Sequence, residues 1–260
     1  MNLSTHSFLR LPNLVLFATM IILINITSVC INYASASEKT SPTKSREAEN
    51  TVSLNAVSAK SLRDSSASRT ILVMGDSISA AFGVDKSKGW VALLKKELNE
   101  QLNKYNLKPS DVYNFINASI SGETTTGARN RMTKALSQYQ PDLVIIELGG
   151  NDGLRGTPIK YIETNIRALI TQSQQNGAKV MLLGMRIPPN YGDRYTGQFS
   201  DIYARLAAEY DTLFVPFFMH GLVGEDGMMQ DDGIHPTQKA QPIMMKLVQD
   251  ELKVWLNGLK

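Results

Sequence analysis

From Thr70 onward, short runs of branched apolar residues alternate with stretches in which apolar side chains return every three or four positions. The first pattern marks strands buried on both faces, the second helices with one buried stripe. Ile71-Leu72-Val73-Met74 is the first strand, and the glycine after it lets the chain turn sharply. Val91, Leu94, Leu98 and Leu102 predict an amphipathic helix over residues 88–105. Val112, Phe115 and Ile116 predict a second strand running into Asn117, Arg129 to Tyr139 a helix that ends before Pro141, and Leu143 to Leu148 a third, central strand. Thr157 as N-cap with Pro158 at the first helical position opens the next helix, and Asn176-Gly177 closes it. Its stripe is Ile159, Ile162, Ile166, Leu169 and Ile170. Val180 to Met185 is the fourth strand, residues 198–210 a helix, and Leu213-Phe214-Val215 the fifth strand. A last helix is predicted to start at Pro236, with Ala240, Ile243, Met244, Leu247, Val248, Leu252 and Trp255 on one face. Five strands alternating with five helices predict an α/β fold, a parallel sheet covered on both sides as a three-layer α/β/α sandwich.

Ahead of residue 70 the pattern changes twice. Leu14 to Ile31 is largely apolar, follows His6 and Arg10, and precedes Ala34-Ser35-Ala36. A basic start, apolar middle and small-x-small end read as a secretory signal over residues 1–36, cut after Ala36. The run is also nearly long enough to span a bilayer, so an uncleaved anchor over residues 14–31 is the alternative. Val29 before Cys30 is not the small residue a lipoprotein signal needs. Residues 37–69 are dominated by Ser, Thr, Ala, Lys and Glu, cannot bury enough surface to order themselves, and read as a solvated, disordered tether. The domain is thus 70–260, exported across the inner membrane to the periplasm or held at the membrane by residues 14–31.

Charge and cysteine usage narrow the chemistry. Of 27 basic and 24 acidic side chains, seven and four precede Thr70, which leaves the domain 20 of each. A formally neutral domain carries no nucleic-acid footprint. Cys30 is the single cysteine and lies in the apolar N-terminal run, so the domain has no disulfide, zinc cluster or thiol nucleophile. Its histidines are His220 and His235.

Four polar motifs follow predicted strands or open predicted helices: Gly75-Asp76-Ser77, Ser121-Gly122, Gly149-Gly150-Asn151-Asp152 and Asp232-Gly233-Ile234-His235-Pro236. Ser77 is delivered to the carboxyl end of a strand, where open α/β sheets bind ligands. A serine alone is a poor nucleophile and needs a base, an orienter for the base, and donors for an oxyanion. His235 is the base candidate, and Asp232, three residues earlier across a glycine turn, is placed to hold its tautomer. The competing reading has Asp232 capping the last helix and His235 on the surface. A metal site from Asp231, Asp232 and His235 lacks further ligands. Gly122 reads either as a backbone N–H open to a reacting carbonyl or as a plain turn glycine, and Asn151 as an oxyanion donor or an Asx turn. Asp76 is read as pinning its turn, Glu147 and Asp152 as structural, and His220 as an ordinary loop residue.

The order serine, glycine, asparagine, then Asp-x-x-His resembles the SGNH hydrolases, also called the GDSL lipase/esterase family, rather than the Gly-x-Ser-x-Gly elbow of other hydrolases. The strings 117–124, 147–156 and 229–236 are most similar to its branch of bacterial periplasmic acyl-CoA thioesterases that also act as lysophospholipases and arylesterases. The resemblance covers residues 70–260. It implies a flavodoxin-like five-stranded parallel sheet, Ser77 as nucleophile, His235 as base, Asp232 as its orienter, and an oxyanion hole from the Ser77 and Gly122 N–H groups with the Asn151 amide. It implies no metal and no organic cofactor. The implied substrates are small acyl esters or thioesters, lysophospholipids among them. Ile78 stands where leucine is usual, the tether is longer than in this branch, and Gly221, Gly224 and Gly227 stand where bulkier groups would line an acyl pocket.

Ile187 and Tyr191 after the fourth strand, and the stretch from Gly153 to Pro158, are expected to border the acyl chain. A neutral imidazole is required for a base, so activity is expected to rise with pH, and a flat profile between about pH 5 and 9 counts against His235. Two alternatives remain: a carbohydrate acetyl esterase of the same fold, and a non-catalytic membrane-tethered binding module.

Overall fold

Residues 71–74 and 143–146 have no solvent exposure at all, because their strands lie in the middle of a sheet covered on both faces. The computed structural model describes residues 69–100 and 113–257. The predicted signal or anchor over 1–36, nearly all of the tether over 37–69, and the ends of the 88–105 helix and the second strand that contain Leu102 and Val112 lie outside the described residues. Among the described residues five strands are present: β1 (Arg69–Gly75), β2 (Tyr113–Asn117), β3 (Leu143–Glu147), β4 (Lys179–Leu183) and β5 (Leu213–Val215). All neighbours are parallel, in the order β2-β1-β3-β4-β5. That is the flavodoxin-like order, whose direction of winding reverses between β1 and β3. The register pairs Gly75 with Glu147 at the carboxyl ends of those strands. Whatever follows them is thereby placed side by side at the switch point.

The α-helices among the described residues are α1 (Trp90–Glu100), α2 (Thr125–Tyr139), α3 (Gly150–Leu154), α4 (Ile159–Gln175), α5 (Asp193–Tyr210) and α6 (Gln241–Asn257). α1 packs on α6, and α2 on α4, which meets α5. The buried stripes keep most of the expected residues, Val91, Leu94 and Leu98 on α1, Ile162, Ile166, Leu169 and Ile170 on α4, Met244, Val248, Leu252 and Trp255 on α6, while Ile159, Ile243 and Leu247 pack against the core half-buried. Among the described residues no helix is long and apolar enough to cross a membrane.

The first helix starts at Trp90, two residues later than expected, after a 3-10 turn at Lys86–Lys88, and four other helix starts differ from the sequence expectation, each for a tertiary or capping reason. α2 begins at Thr125 rather than Arg129, because Thr124 Oγ1 caps Gly127 N–H and Asp152 holds both the N–H and the hydroxyl of Thr125. The Thr157 N–H donates to the Asp152 carbonyl, which leaves Pro158 as the cap residue and Ile159 as the first of α4. α5 begins at Asp193 rather than residue 198, after Gly192 turns the chain with φ +84°. The last helix does not start at Pro236. An antiparallel bridge between Met229 and Pro236 keeps the chain extended there, and the coil begins as a short 3-10 turn at Gln238–Ala240 before α6.

Candidate active site

Two glycines let the ends of β1 and β3 approach. A Cβ on Gly75 would lie 2.8 Å from Glu147 Oε2 and from Ser79, and one on Gly149, at φ +112°, would collide with the Tyr203 hydroxyl. After Gly75 the chain folds into a tight turn, with Ala80 N–H on the Asp76 carbonyl and Phe82 N–H on the Ser77 carbonyl. After Gly149 it enters the single turn α3, which places Asn151 opposite that loop.

Ser77 is nearly buried, and its Oγ lies 2.8 Å from His235 Nε2. His235 Nδ1 lies 2.6 Å from Asp232 Oδ2. A carboxylate only accepts, so Nδ1 carries the hydrogen, Nε2 is left as an acceptor, and the Ser77 hydroxyl donates to it. Asp232 Oδ1 takes the N–H groups of Ile234 and His235, each at 2.9 Å. The His235 backbone N–H, its ring and the Ile234 N–H together hold the Asp232 carboxyl down at about 2. Asp232 therefore caps its own turn and not the last helix. The alternative reading for Asp232 and His235 is corrected by the late start of α6.

Asp76 pins its turn as expected, and does more. Its Oδ1 accepts from Ile78 N–H at 3.0 Å and its Oδ2 from Asn151 Nδ2 at 3.1 Å. The Asn151 side chain is thus aimed by a carboxyl next to Ser77. One Nδ2 hydrogen is used on Asp76, and the second remains available to the cleft that Asn151 lines. Asn151 sits in a helical turn and is not an Asx turn. Gly122 has φ +79°, and a Cβ there would meet no protein atom within 4 Å. Backbone conformation, rather than crowding by neighbouring groups, is what calls for glycine. The Gly122 carbonyl accepts from Arg155 at 3.4 Å.

A buried polar network beneath the site was only partly legible beforehand. Glu147, with no exposure, accepts from Ser79 Oγ at 2.7 Å and from Asp76 N–H at 3.2 Å, and Trp90 Nε1 donates to Ser79 Oγ at 3.3 Å. Burial pushes Asp76 up to about 6 against the pull of the Ile78 N–H, and burial with the neighbouring Asp76 charge pushes Glu147 well above the usual carboxylate range. Two acids at the carboxyl ends of apolar strand runs were the available signal. Phe82 and Gln230 were missed altogether. The Phe82 ring lies 4.6 Å from the His235 ring, and Gln230 Nε2 donates to the carbonyls of Phe82 and Pro236. Neither has a sequence signature, since each acts through a distant loop.

Ser77, Asn151 and His235 open onto a cleft of about 620 Å³ with mainly apolar walls, including Met185, Ile187, Phe217, Met219, Val223 and Met229. Of the residues expected to border an acyl chain, Ile187 and, from the stretch 153–158, Leu154 lie on this wall. Tyr191 does not, because its hydroxyl donates to the Leu154 carbonyl at 2.7 Å and its ring packs near Tyr195. Gly153 is also behind the wall, where a Cβ would lie 2.7 Å from Ile187 Cγ2 and 2.9 Å from Phe199. Both expectations are corrected: these residues support the wall rather than form it. Gly221, Gly224 and Gly227 all adopt positive φ and shape turns, while Val223 between them faces the cleft.

The model of the GDSL-like lipase/acylhydrolase family matches residues 73–242. The esterase TesA of Pseudomonas aeruginosa is 47% identical over 192 residues, covering 74% of this chain and 92% of that protein. The thioesterase 1/protease 1/lysophospholipase L1 of Escherichia coli is 39% identical over 191 residues, covering 74% of this chain and 86% of that protein. A crystal structure of the psychrotrophic esterase EstA from Pseudoalteromonas sp., inhibited by monoethylphosphonate, superposes with a TM-score of 0.66 at 41% identity, covering 73% of this chain and 99% of that one.

Proposed function

The chain belongs to the GDSL-like lipase/acylhydrolase family, and on that premise we propose that it hydrolyses acyl esters and thioesters through an acyl-enzyme on Ser77. The observation that carries this reading is the unbroken line from Asp232 through His235 to Ser77 Oγ at the floor of a mainly apolar cleft. His235 Nε2 takes the Ser77 proton as Oγ attacks the carbonyl carbon. Asp232 holds the ring in the required tautomer and balances the imidazolium charge. The oxyanion is received by the Ser77 and Gly122 N–H groups and the free Asn151 amide hydrogen. As the tetrahedral intermediate collapses, the C–O or C–S bond breaks and the leaving alcohol or thiol takes the proton from His235. A water, deprotonated by the same nitrogen, then attacks the acyl-enzyme, and His235 returns that proton to Ser77 Oγ as the bond to the acyl group breaks and the acid is freed.

A mainly apolar cleft of this volume supports acyl chains longer than acetyl, in line with the esterase and thioesterase/lysophospholipase names of the relatives. The N-terminal sequence supports export to the periplasm, with residues 1–36 removed or residues 14–31 retained as an anchor. The test is hydrolysis of matched acyl ester and acyl-CoA series by the wild-type chain and by Ser77→Ala, with mass-spectrometric mapping of an alkyl phosphonate adduct. Turnover of medium or long chains, loss in Ser77→Ala and an adduct on Ser77 are expected. Turnover of acetyl substrates alone, or full activity in Ser77→Ala, overturns the reading.

A further inference from the structure

Among the described residues, Arg186 is the one lysine or arginine on the wall of the acyl cleft. It is exposed, its guanidinium stacks over the Phe217 ring at 4.6 Å, and it forms no ion pair among the described residues. Such a stack fixes the plane of the group while leaving its N–H edges free for a bidentate oxyanion. The same residue, with Ile187 and Pro189, also borders a second cleft of about 310 Å³ that continues over the start of α5. That cleft adds Asp193, Thr196 and Ser200. Asp193 is exposed and forms no ion pair either, so two opposite charges border one small cleft without joining. The hydroxyls of Thr196 and Ser200 donate to backbone carbonyls, which leaves their lone pairs as acceptors. The helix dipole accounts for an acid at the first residue of α5, and stem packing for an arginine over Phe217. Neither accounts for their sharing a cleft continuous with the acyl site.

We propose that this side cleft is a subsite for a zwitterionic lysophospholipid headgroup, with the phosphate diester on Arg186 and the ammonium on Asp193. The acyl chain then takes the wall formed by Met185, Met219 and Met229, and the ester carbonyl lies at Ser77. The proposal rests on the ester-hydrolase reading and adds the residues that hold the headgroup of the leaving group. An acyl-CoA also carries phosphates and would use Arg186, but it presents no ammonium to Asp193, which separates the two sources of phosphate.

The experiment uses the full chain and octanoyl substrates kept below their critical micelle concentrations. For Arg186→Gln, kcat/KM for octanoyl lysophosphatidylcholine relative to 1-octanoylglycerol falls about tenfold, through KM, as expected for loss of a charge-assisted contact made in both ground and transition states. Arg186→Lys restores part of it. For Asp193→Asn, the ratio of octanoyl lysophosphatidylcholine to octanoyl lysophosphatidylglycerol falls, and octanoyl-CoA relative to 1-octanoylglycerol does not. Calorimetric binding of octanoyl lysophosphatidylcholine to Ser77→Ala, with and without Arg186→Gln, reads headgroup recognition without turnover. Unchanged ratios and unchanged binding in the Arg186 and Asp193 variants overturn the headgroup subsite while leaving ester hydrolysis standing. A fall in the octanoyl-CoA ratio for Arg186→Gln with no effect of Asp193→Asn overturns the zwitterion in favour of a coenzyme A phosphate. Absence of all ester turnover with headgroup-dependent binding overturns the hydrolase reading and not the subsite.

Discussion

Replacing Asp76 with asparagine removes a carboxyl that no step of the proposed mechanism consumes, and it tests whether that carboxyl sets the position of Asn151. Two donors converge on Asp76, the Ile78 N–H at 3.0 Å and Asn151 Nδ2 at 3.1 Å. An amide of the same shape offers one acceptor and one donor, so one of the two contacts becomes donor facing donor. The Ile78 bond is local and closes the turn, so the Asn151 bond is the one that yields. A hydrogen bond to a charged partner is worth about 1.5–3 kcal/mol. At ~1.4 kcal/mol per tenfold, its loss predicts a kcat lower by about 10- to 150-fold. The ceiling is removal of the donor itself, roughly 10²- to 10³-fold. The assay is kcat and KM on a soluble chromogenic ester for Asp76→Asn, Asn151→Ala and the double variant, with thermal melts to verify folding. Asp76→Asn is expected to act on kcat, and the double variant to be no slower than Asn151→Ala, because the first change has no further effect once the amide is gone. Multiplicative losses in the double variant, or a folded Asp76→Asn within threefold of wild type, refute the coupling.

Three further outcomes follow from the same contacts. Asp232→Ala removes the group that fixes the His235 tautomer and is expected to cost about 10³- to 10⁴-fold in kcat; a loss under tenfold would remove Asp232 from the line. The Glu147 carboxyl is held well above its usual range by burial, so the folded protein keeps a proton that the unfolded chain releases, and its contribution to stability falls as pH rises through the carboxylate range. Glu147→Gln has no such proton, so the melting temperature of the variant minus that of wild type is expected to increase from pH 4 to pH 8, and a pH-independent difference contradicts the assignment. Gly153→Ala forces Ile187, whose Cγ2 would lie 2.7 Å from the new methyl, toward the cleft, and is expected to move the chain-length optimum toward shorter acyl groups; Tyr191→Phe, which cuts only the bond to the Leu154 carbonyl, is expected to shift it less.

The strands, their parallel arrangement and the four polar motifs were legible in the sequence because each is a local statement. A run of branched residues buries itself on both faces wherever it is placed, and Asp232 reaches His235 across three residues of one turn. The strand order then follows from short right-handed connections. The parts that were misplaced depend on chain segments far apart. The start of α6 is delayed by the pairing of Pro236 with Met229, and Tyr191 is turned from the cleft by the carbonyl of Leu154. Phe82 acquires its place only when a loop 148 residues away supplies Gln230. The roles of Asp76 and Glu147 also belong to tertiary structure. Sequence shows two acids beside apolar strands, but the register that sets Gly75 against Glu147 buries both carboxyls, raises their proton affinity and turns one of them onto Asn151. Side-chain type fixes what a residue can donate or accept, whereas burial and partners, which only the folded chain supplies, decide which of those capacities is used.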